Sequence, residues 1–290
     1  MQTVLITGAT GALGQAVVEN LQKNGNYHVV ATSRNSENDD FQLDVRNTEK
    51  LAIIINSIKP SLILHLAATF ENDFNEAYAT NVEATRQLLE VVQQSGLCIR
   101  VLLIGSAAEY GAVRPEDNPI RENHVLTPVS IYGLTKAWQT QLAGLYASRG
   151  VDVVVARIFN LDGTGLSERL FIGRLQKQIN EVLAGLKSAI ELGSLTATRD
   201  YISTNGAAEQ LLAIADHAET GRVYHVASGN PVMMNDILKR YLTKHKIDVS
   251  KVHTSAVLTN RIGYDAPIIY ADVTNTMQLM KYWKEAHGEA

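Results

Sequence analysis

The segment Gly8-Ala9-Thr10-Gly11-Ala12-Leu13-Gly14 lies directly after the apolar run Val4–Ile6 and directly before a helix-patterned stretch through Val17, Val18 and Leu21. No other feature constrains the fold as tightly. A glycine-rich turn between a strand and a helix lets the backbone approach an anion closely, and it aims the free N–H groups of the helix start at that anion. Four more short β-rich runs follow, at Val29–Ala31, Leu62–Leu66, Val101–Ile104 and Val153–Ile158, each followed by a helical or polar segment. Runs that are apolar throughout suit strands buried on both faces. Strands that alternate with helices form a parallel sheet wound by right-handed crossovers. The expected class is therefore α/β, a doubly wound parallel sheet with a smaller C-terminal lobe. Residues 1–160, with a return segment at 201–227, should form the sheet domain, and 161–200 with 228–290 the lobe. That lobe should cover the carboxyl ends of the strands, where open α/β sheets bind ligands.

Composition narrows the partners. With 46% hydrophobic and 19% charged residues over 290 positions, the chain can bury a large core. A net charge of −4 with no block of Lys or Arg argues against nucleic acid. Cys98 is the single cysteine, which rules out an internal disulfide, and its place beside Val101–Ile104 predicts a buried side chain in a reducing compartment. The first residues lack the basic and apolar segments of a signal peptide, and no apolar run approaches the roughly 18 residues of a membrane span. A soluble cytoplasmic protein without membrane contact is the expectation.

The glycine turn, through Gly8, Gly11, Ala12, Leu13 and Gly14, is suited to the pyrophosphate of a dinucleotide. About twenty residues on, where an acid usually meets the ribose 2′-hydroxyl of NAD, the chain reads Thr32-Ser33-Arg34. Ser33 and Arg34 would instead hold a 2′-phosphate, which favours NADP(H), with NAD(H) as the alternative.

Tyr132 and Lys136 stand four residues apart, hence on one face of a helix. Carbonyl reduction needs a proton donor and a group that polarises the carbonyl. Tyr132 would give the proton, Lys136 and the oxidised nicotinamide would together favour its phenolate against an ordinary pKa of about 10, and Ser106 would hold the substrate oxygen. Asn81, on an earlier helix, joins the set on the cofactor side. No metal is expected.

These motifs together resemble the extended short-chain dehydrogenase/reductases, the NAD-dependent epimerase/dehydratase family of Rossmann proteins that act on nucleotide sugars. The resemblance runs through Ile104-Gly105-Ser106-Ala107-Ala108-Glu109-Tyr110-Gly111, Pro119-Ile120-Arg121-Glu122, Ser130-x-Tyr132-Gly133, Arg157-x-Phe159-Asn160 and Gly193-Ser194-Leu195-x-Ala197-x-Arg199-Asp200. The last of these is similar to the branch that reduces GDP-linked 4-keto-6-deoxy sugars. The resemblance implies that Asp44 and Val45 meet the adenine, that Leu66, Ala67 and Ala68 pass under the cofactor, and that Asn160, Arg199 and Arg261 contact the diphosphate of a nucleotide sugar. It also implies a homodimer built on the helical stretches 81–94 and 136–147, through Val82, Leu88, Leu89, Val92, Leu142 and Leu145. Family dehydratases place an acid and a base where this chain has Ala107 and Ala108, so dehydration is disfavoured. Arg34 suggests an exchangeable NADPH, which disfavours a 4-epimerase. The expected activity is NADPH-dependent reduction at C4 of a nucleotide-linked 4-keto-6-deoxy sugar, GDP-linked by resemblance. A 4-epimerase, a small-ketone reductase and a non-catalytic NADP-binding regulator remain as alternatives.

Overall fold

A computed structural model describes residues 1–34, 42–255 and 265–288. In chain order the first half forms β1 (Gln2–Thr7), α1 (Ala12–Asn24), β2 (Tyr27–Thr32), α2 (Thr48–Ile58), β3 (Leu62–His65), α3 (Phe74–Ala77), a π-helical turn (Tyr78–Glu83), α4 (Ala84–Ser95), β4 (Arg100–Ser106), α5 (Ile131–Ala147) and β5 (Val153–Ile158). There follow β6 (Asn160–Asp162), α6 (Phe171–Leu183), β7 (Ile190–Leu192), β8 (Thr198–Ser203), α7 (Thr204–His217), β9 (Val223–Val226), β10 (Pro231–Met233), α8 (Met234–His245), β11 (Val252–Thr254), β12 (Ile268–Ile269) and α9 (Thr274–His287).

The six-stranded main sheet has the order β2-β1-β3-β4-β5-β9, and every neighbouring pair is parallel. This is the Rossmann-like doubly wound sheet that the strand-helix alternation predicts. Strands β3 and β5 are buried at every residue, as expected for strands covered by helices on both faces. Leu88, Leu89 and Val92 of α4, with Ala143 and Tyr146 of α5 and Leu51 of α2, seal one face. Val17 and Leu21 of α1, Leu211 and Ile214 of α7, and Leu279 and Trp283 of α9 seal the other. The chain order reverses around β1, which is flanked by β2 and β3, and such a switch point opens a crevice at the carboxyl ends of the strands.

The lobe above that crevice has its own core. Ile172, Leu175 and Ile179 of α6 pack with Ile190 and Leu192 of β7 and with Ile237 and Leu238 of α8. Its small sheet pairs β8 with β6, β10 and β12.

Three expectations change here. Helix α9, expected in the lobe, packs on α7 and the main-sheet core, where the Trp283 indole donates to Asp216 at 3.1 Å. Cys98 is exposed, because it sits in the turn before β4 rather than in the strand. Val82, Leu88, Leu89 and Val92, assigned to a contact between subunits, are buried within the chain, and Leu142 is partly so. Of that set Leu145 alone is exposed, at 44%. Leu88→Ala should therefore lower the unfolding free energy by about 2–5 kcal/mol through lost burial and a cavity, with oligomeric mass unchanged. Urea unfolding together with light scattering checks both halves of this prediction.

Candidate active site

The crevice is a cleft of about 1060 Å³. Its wall includes Gly8, Gly11, Ala12, Leu13, Gly14, Ser33, Arg34, Asp44, Val45, Leu66, Ala67 and Ala68 from the sheet domain. Ser106, Tyr132 and Lys136, the candidate reactive groups, line the same cleft, as do Asn160 and Arg199 from the side of the lobe. Of the residues singled out in the sequence, Asn81 is absent from this wall and Arg261 lies outside the described residues.

Close backbone approaches build the glycine turn. Gly8 has φ +72°, and a Cβ on it would fall 2.7 Å from Ala67 N, so the turn and the loop after β3 touch through their backbones. A Cβ on Gly14 would fall 2.5 Å from Gly8 O, which is what lets α1 start against the turn. Gly11 caps α1 with no side-chain acceptor, so the first N–H groups of the helix face the cleft unclaimed by a cap. At the end of β2 the hydroxyl of Ser33 is buried without a partner beside Arg34, and no carboxylate stands at Thr32, Ser33 or Arg34. A cradle that side chains would fill, an open helix start, an orphaned hydroxyl and a neighbouring guanidinium together fit a phosphorylated dinucleotide. Asp44 is clamped by Arg46 at 2.7 Å, and the guanidinium holds its carboxyl below the usual range.

The candidate reactive groups come from two elements. Ser106 ends β4 and caps the following turn, where its Oγ accepts from Ala108 N at 3.2 Å. That bond leaves the hydroxyl proton free to point elsewhere, and Ser106 bonds to the Tyr132 phenol. Tyr132 and Lys136 lie on the first turns of α5, whose Ser130 cap accepts from Gly133 N at 3.0 Å. Gly133 makes the junction possible, since a Cβ there would fall 2.4 Å from Ala108 O. Phe70 packs on the Tyr132 ring with centroids 4.6 Å apart. Its carbonyl accepts from Arg169 at 2.7 Å, which ties the loop after β3 to the lobe.

Burial pushes the Tyr132 phenol up to about 12, against the lowering bond from Ser106. Burial brings Lys136 down to about 8. Burial outweighs the lowering bond on the phenol, and the Lys136 ammonium bonds to Gln139. Gln139 donates in turn to Thr85 at 2.8 Å. Asn81 is a brace: its amide donates to Thr135 of α5 and to the Thr69 carbonyl, both at 3.0 Å, and accepts from Thr69 N at 2.9 Å.

On the lobe side Asn160 donates to the Asp200 carbonyl at 3.0 Å. Arg199 is mostly enclosed and pairs with Asp265 at 2.6 Å. Sequence reasoning gave no role to the polar chain behind Ser106. There Glu109 pairs with Arg157 at 2.8 Å, Arg157 donates to the Tyr110 hydroxyl at 2.7 Å, and Tyr110 meets His225 Nε2 at 2.5 Å. The charges at Glu109 and Arg157 were visible in the motifs, but a partner 48 positions away carries no local signal.

A family model described as "NAD dependent epimerase/dehydratase family" matches residues 4–227. GDP-6-deoxy-D-mannose reductase of Pseudomonas aeruginosa is 28% identical over 187 residues, a match spanning 62% of this chain and 62% of that protein. UDP-glucose 4-epimerase of Rhizobium leguminosarum bv. trifolii is 30% identical over 261 residues, 81% of this chain and 76% of that one. The solved structure of MoeE5 in complex with UDP-glucose and NAD superposes with a TM-score of 0.82 at 28% identity, covering 96% of this chain and 92% of its own.

The buried imidazoles give the fold a pH dependence. Burial, with a smaller push from Lys136, lowers His65 to about 3, and burial lowers His225 as well. Unfolded, both titrate near 6.5. The unfolded chain then binds more protons from about pH 6.5 downward, so stability is full above that value and falls as pH drops toward the folded pKa. The slope approaches about 1.4 kcal/mol per pH unit for each group. Urea midpoints measured at about pH 7 and about pH 5 should differ, and His65→Asn should shrink the difference. An undiminished difference in the variant would contradict the assignment.

Proposed function

The chain belongs to the NAD dependent epimerase/dehydratase family, and from that premise we propose that it reduces the C4 ketone of a nucleotide-linked 4-keto-6-deoxy sugar, GDP-linked, using NADPH. One observation carries this reading. Ser106, Tyr132 and Lys136 line the same cleft as the glycine turn, while Ala107 and Ala108 beside them offer no second acid or base. Alanine moves no proton, so these two positions supply no agent for an elimination, whereas a reduction needs the phenol alone.

Bound nicotinamide dinucleotide supplies the hydride. Gly8, Gly11, Ala12, Leu13 and Gly14 receive its pyrophosphate, Ser33 and Arg34 its 2′-phosphate, Asp44 and Val45 its adenine, and Leu66, Ala67 and Ala68 line its path. Ser106 holds the ketone oxygen, and Tyr132 delivers a proton to it. A phenol raised to about 12 is fully protonated at neutral pH, as an acid in the reductive direction must be. Lys136, still mainly charged at neutrality, holds the nicotinamide ribose. Asn160 and Arg199 take the diphosphate of the nucleotide sugar, for which Arg199 would exchange Asp265. The sheet domain thus serves the cofactor and the lobe the sugar nucleotide.

The similarity to UDP-glucose 4-epimerase favours a second reading, in which the same tyrosine oxidises and re-reduces C4 with no net cofactor consumption. NADPH oxidation by wild-type protein with GDP-4-keto-6-deoxymannose separates the two. Under the first reading Tyr132→Phe, which keeps the ring, lowers the rate by about 10²–10⁴ with cofactor affinity retained. Arg34→Ala raises the KM for NADPH over that for NADH by roughly 1.5–3 kcal/mol of lost pairing. Conversion of UDP-glucose without NADPH turnover would decide for the epimerase. The partner we propose is a second copy, seated not on the buried leucines of α4 but on the exposed Phe74 and Tyr78, whose rings meet Trp138, and on the exposed Leu145 of α5. A monomer by light scattering at micromolar concentration would refute that assignment.

A further inference from the structure

Glu109 has no exposed surface, yet its carboxylate accepts four hydrogen bonds. Oε1 accepts from the Ser106 backbone N–H at 2.7 Å. Oε2 accepts from the Thr140 hydroxyl at 2.8 Å and from Arg157 Nε and Nη2 at 3.1 and 2.8 Å. Gly105 leaves the room it occupies, since a Cβ there would lie 2.7 Å from Oε1. Thr140 stands one turn beyond Lys136 on α5. One buried carboxylate therefore grips both the strand end that bears Ser106 and the helix that bears Tyr132 and Lys136.

We propose that Glu109 is the positioning residue of the reactive centre: it fixes Ser106, at the end of β4, against α5, the helix that bears Tyr132 and Lys136. The proposal takes the roles of Ser106, Tyr132 and Lys136 from the functional reading above. Neutral packing would not need a carboxylate at this site. An amide has one acceptor oxygen and could accept either from Ser106 N or from Thr140 and Arg157, not at both positions, and only an anion offsets the Arg157 charge. Among the described residues, the charged and titratable groups facing Lys136 are Glu109 from the turn after β4 and His65 from β3, and Tyr132 from the preceding turn of α5 shares its cleft wall. Among the described residues, those facing Glu109 are Arg157 from β5, with Tyr110 and His225 behind it, and Tyr132 and Lys136 from α5. Burial lowers Lys136 and Glu109 opposes the fall, while burial raises Tyr132 and Glu109 adds to the rise.

The test measures NADPH affinity against pH, by cofactor fluorescence, together with kcat and KM for GDP-4-keto-6-deoxymannose. If Lys136 must be charged to hold the cofactor, affinity falls as pH rises through its pKa. In Glu109→Gln that fall should begin about one pH unit lower. The value of kcat should drop about tenfold or more, with the sugar KM nearly unchanged, because the loss is one of alignment. Glu109→Asp keeps the charge but pulls the carboxylate away from Ser106 N. It should restore the binding profile and leave kcat low, which keeps the test decisive if the Gln variant does not fold. Superimposable binding profiles in wild type and Glu109→Gln, or a kcat for Glu109→Asp equal to wild type, would overturn the proposal. A wild-type protein that binds NADPH yet reduces no nucleotide ketosugar would overturn the functional reading instead, and the binding profiles would still decide the role of Glu109.

Discussion

Three backbone contacts, each too close for any side chain, set the distances on which the cleft depends. Gly8 meets the loop after β3, Gly14 meets the turn it follows, and Gly133 meets the Ala108 carbonyl. The first two bring the open end of α1 to the crevice at the switch point around β1, where the sheet leaves a gap between crossovers running in opposite directions. The third seats α5 on the turn after β4, which places a helix-borne phenol and a strand-borne hydroxyl side by side. A methyl group at Gly133 would push the helix outward. Proton transfer tolerates little of that, since donor and acceptor must lie within hydrogen-bond reach.

The polar chain behind this junction is costly by itself. Moving a carboxylate and a guanidinium out of water costs several kcal/mol per ion, and pairs of this kind can often be replaced by apolar residues without loss of stability. Here nearly every donor and acceptor of Glu109 and Arg157 is engaged, and the contacts join β4, β5, α5 and the segment through Glu122. That completeness makes the burial tolerable. It also means the pair specifies geometry more than it adds stability, since a half-satisfied network would be worse than an apolar core.

Burial acts on the two titrating groups in opposite directions, raising the phenol and lowering the ammonium. Both shifts follow from one cause, the disfavouring of charge in a poorly solvated wall. The phenol is thereby kept an acid near neutrality while the lysine keeps most of its charge.

Much of this was legible in the chain itself. The apolar runs at Val4, Leu62, Val101 and Val153 predicted strands buried on both faces, and the glycine turn predicted the crevice, because both signals are local and periodic. The spacing of Tyr132 and Lys136 placed them on one helix face for the same reason. The tertiary structure alone decided what pairs across distance. Glu109 and Arg157 meet because β4 and β5 are neighbours, Asn81 braces Thr135 instead of lining the cleft, and α9 returns to the main sheet. It also decided the sign of the Tyr132 shift, since sequence shows which charges are near along the chain but not how much water is excluded around them. Desolvation is a property of the packed whole, and no run of residues encodes it by itself.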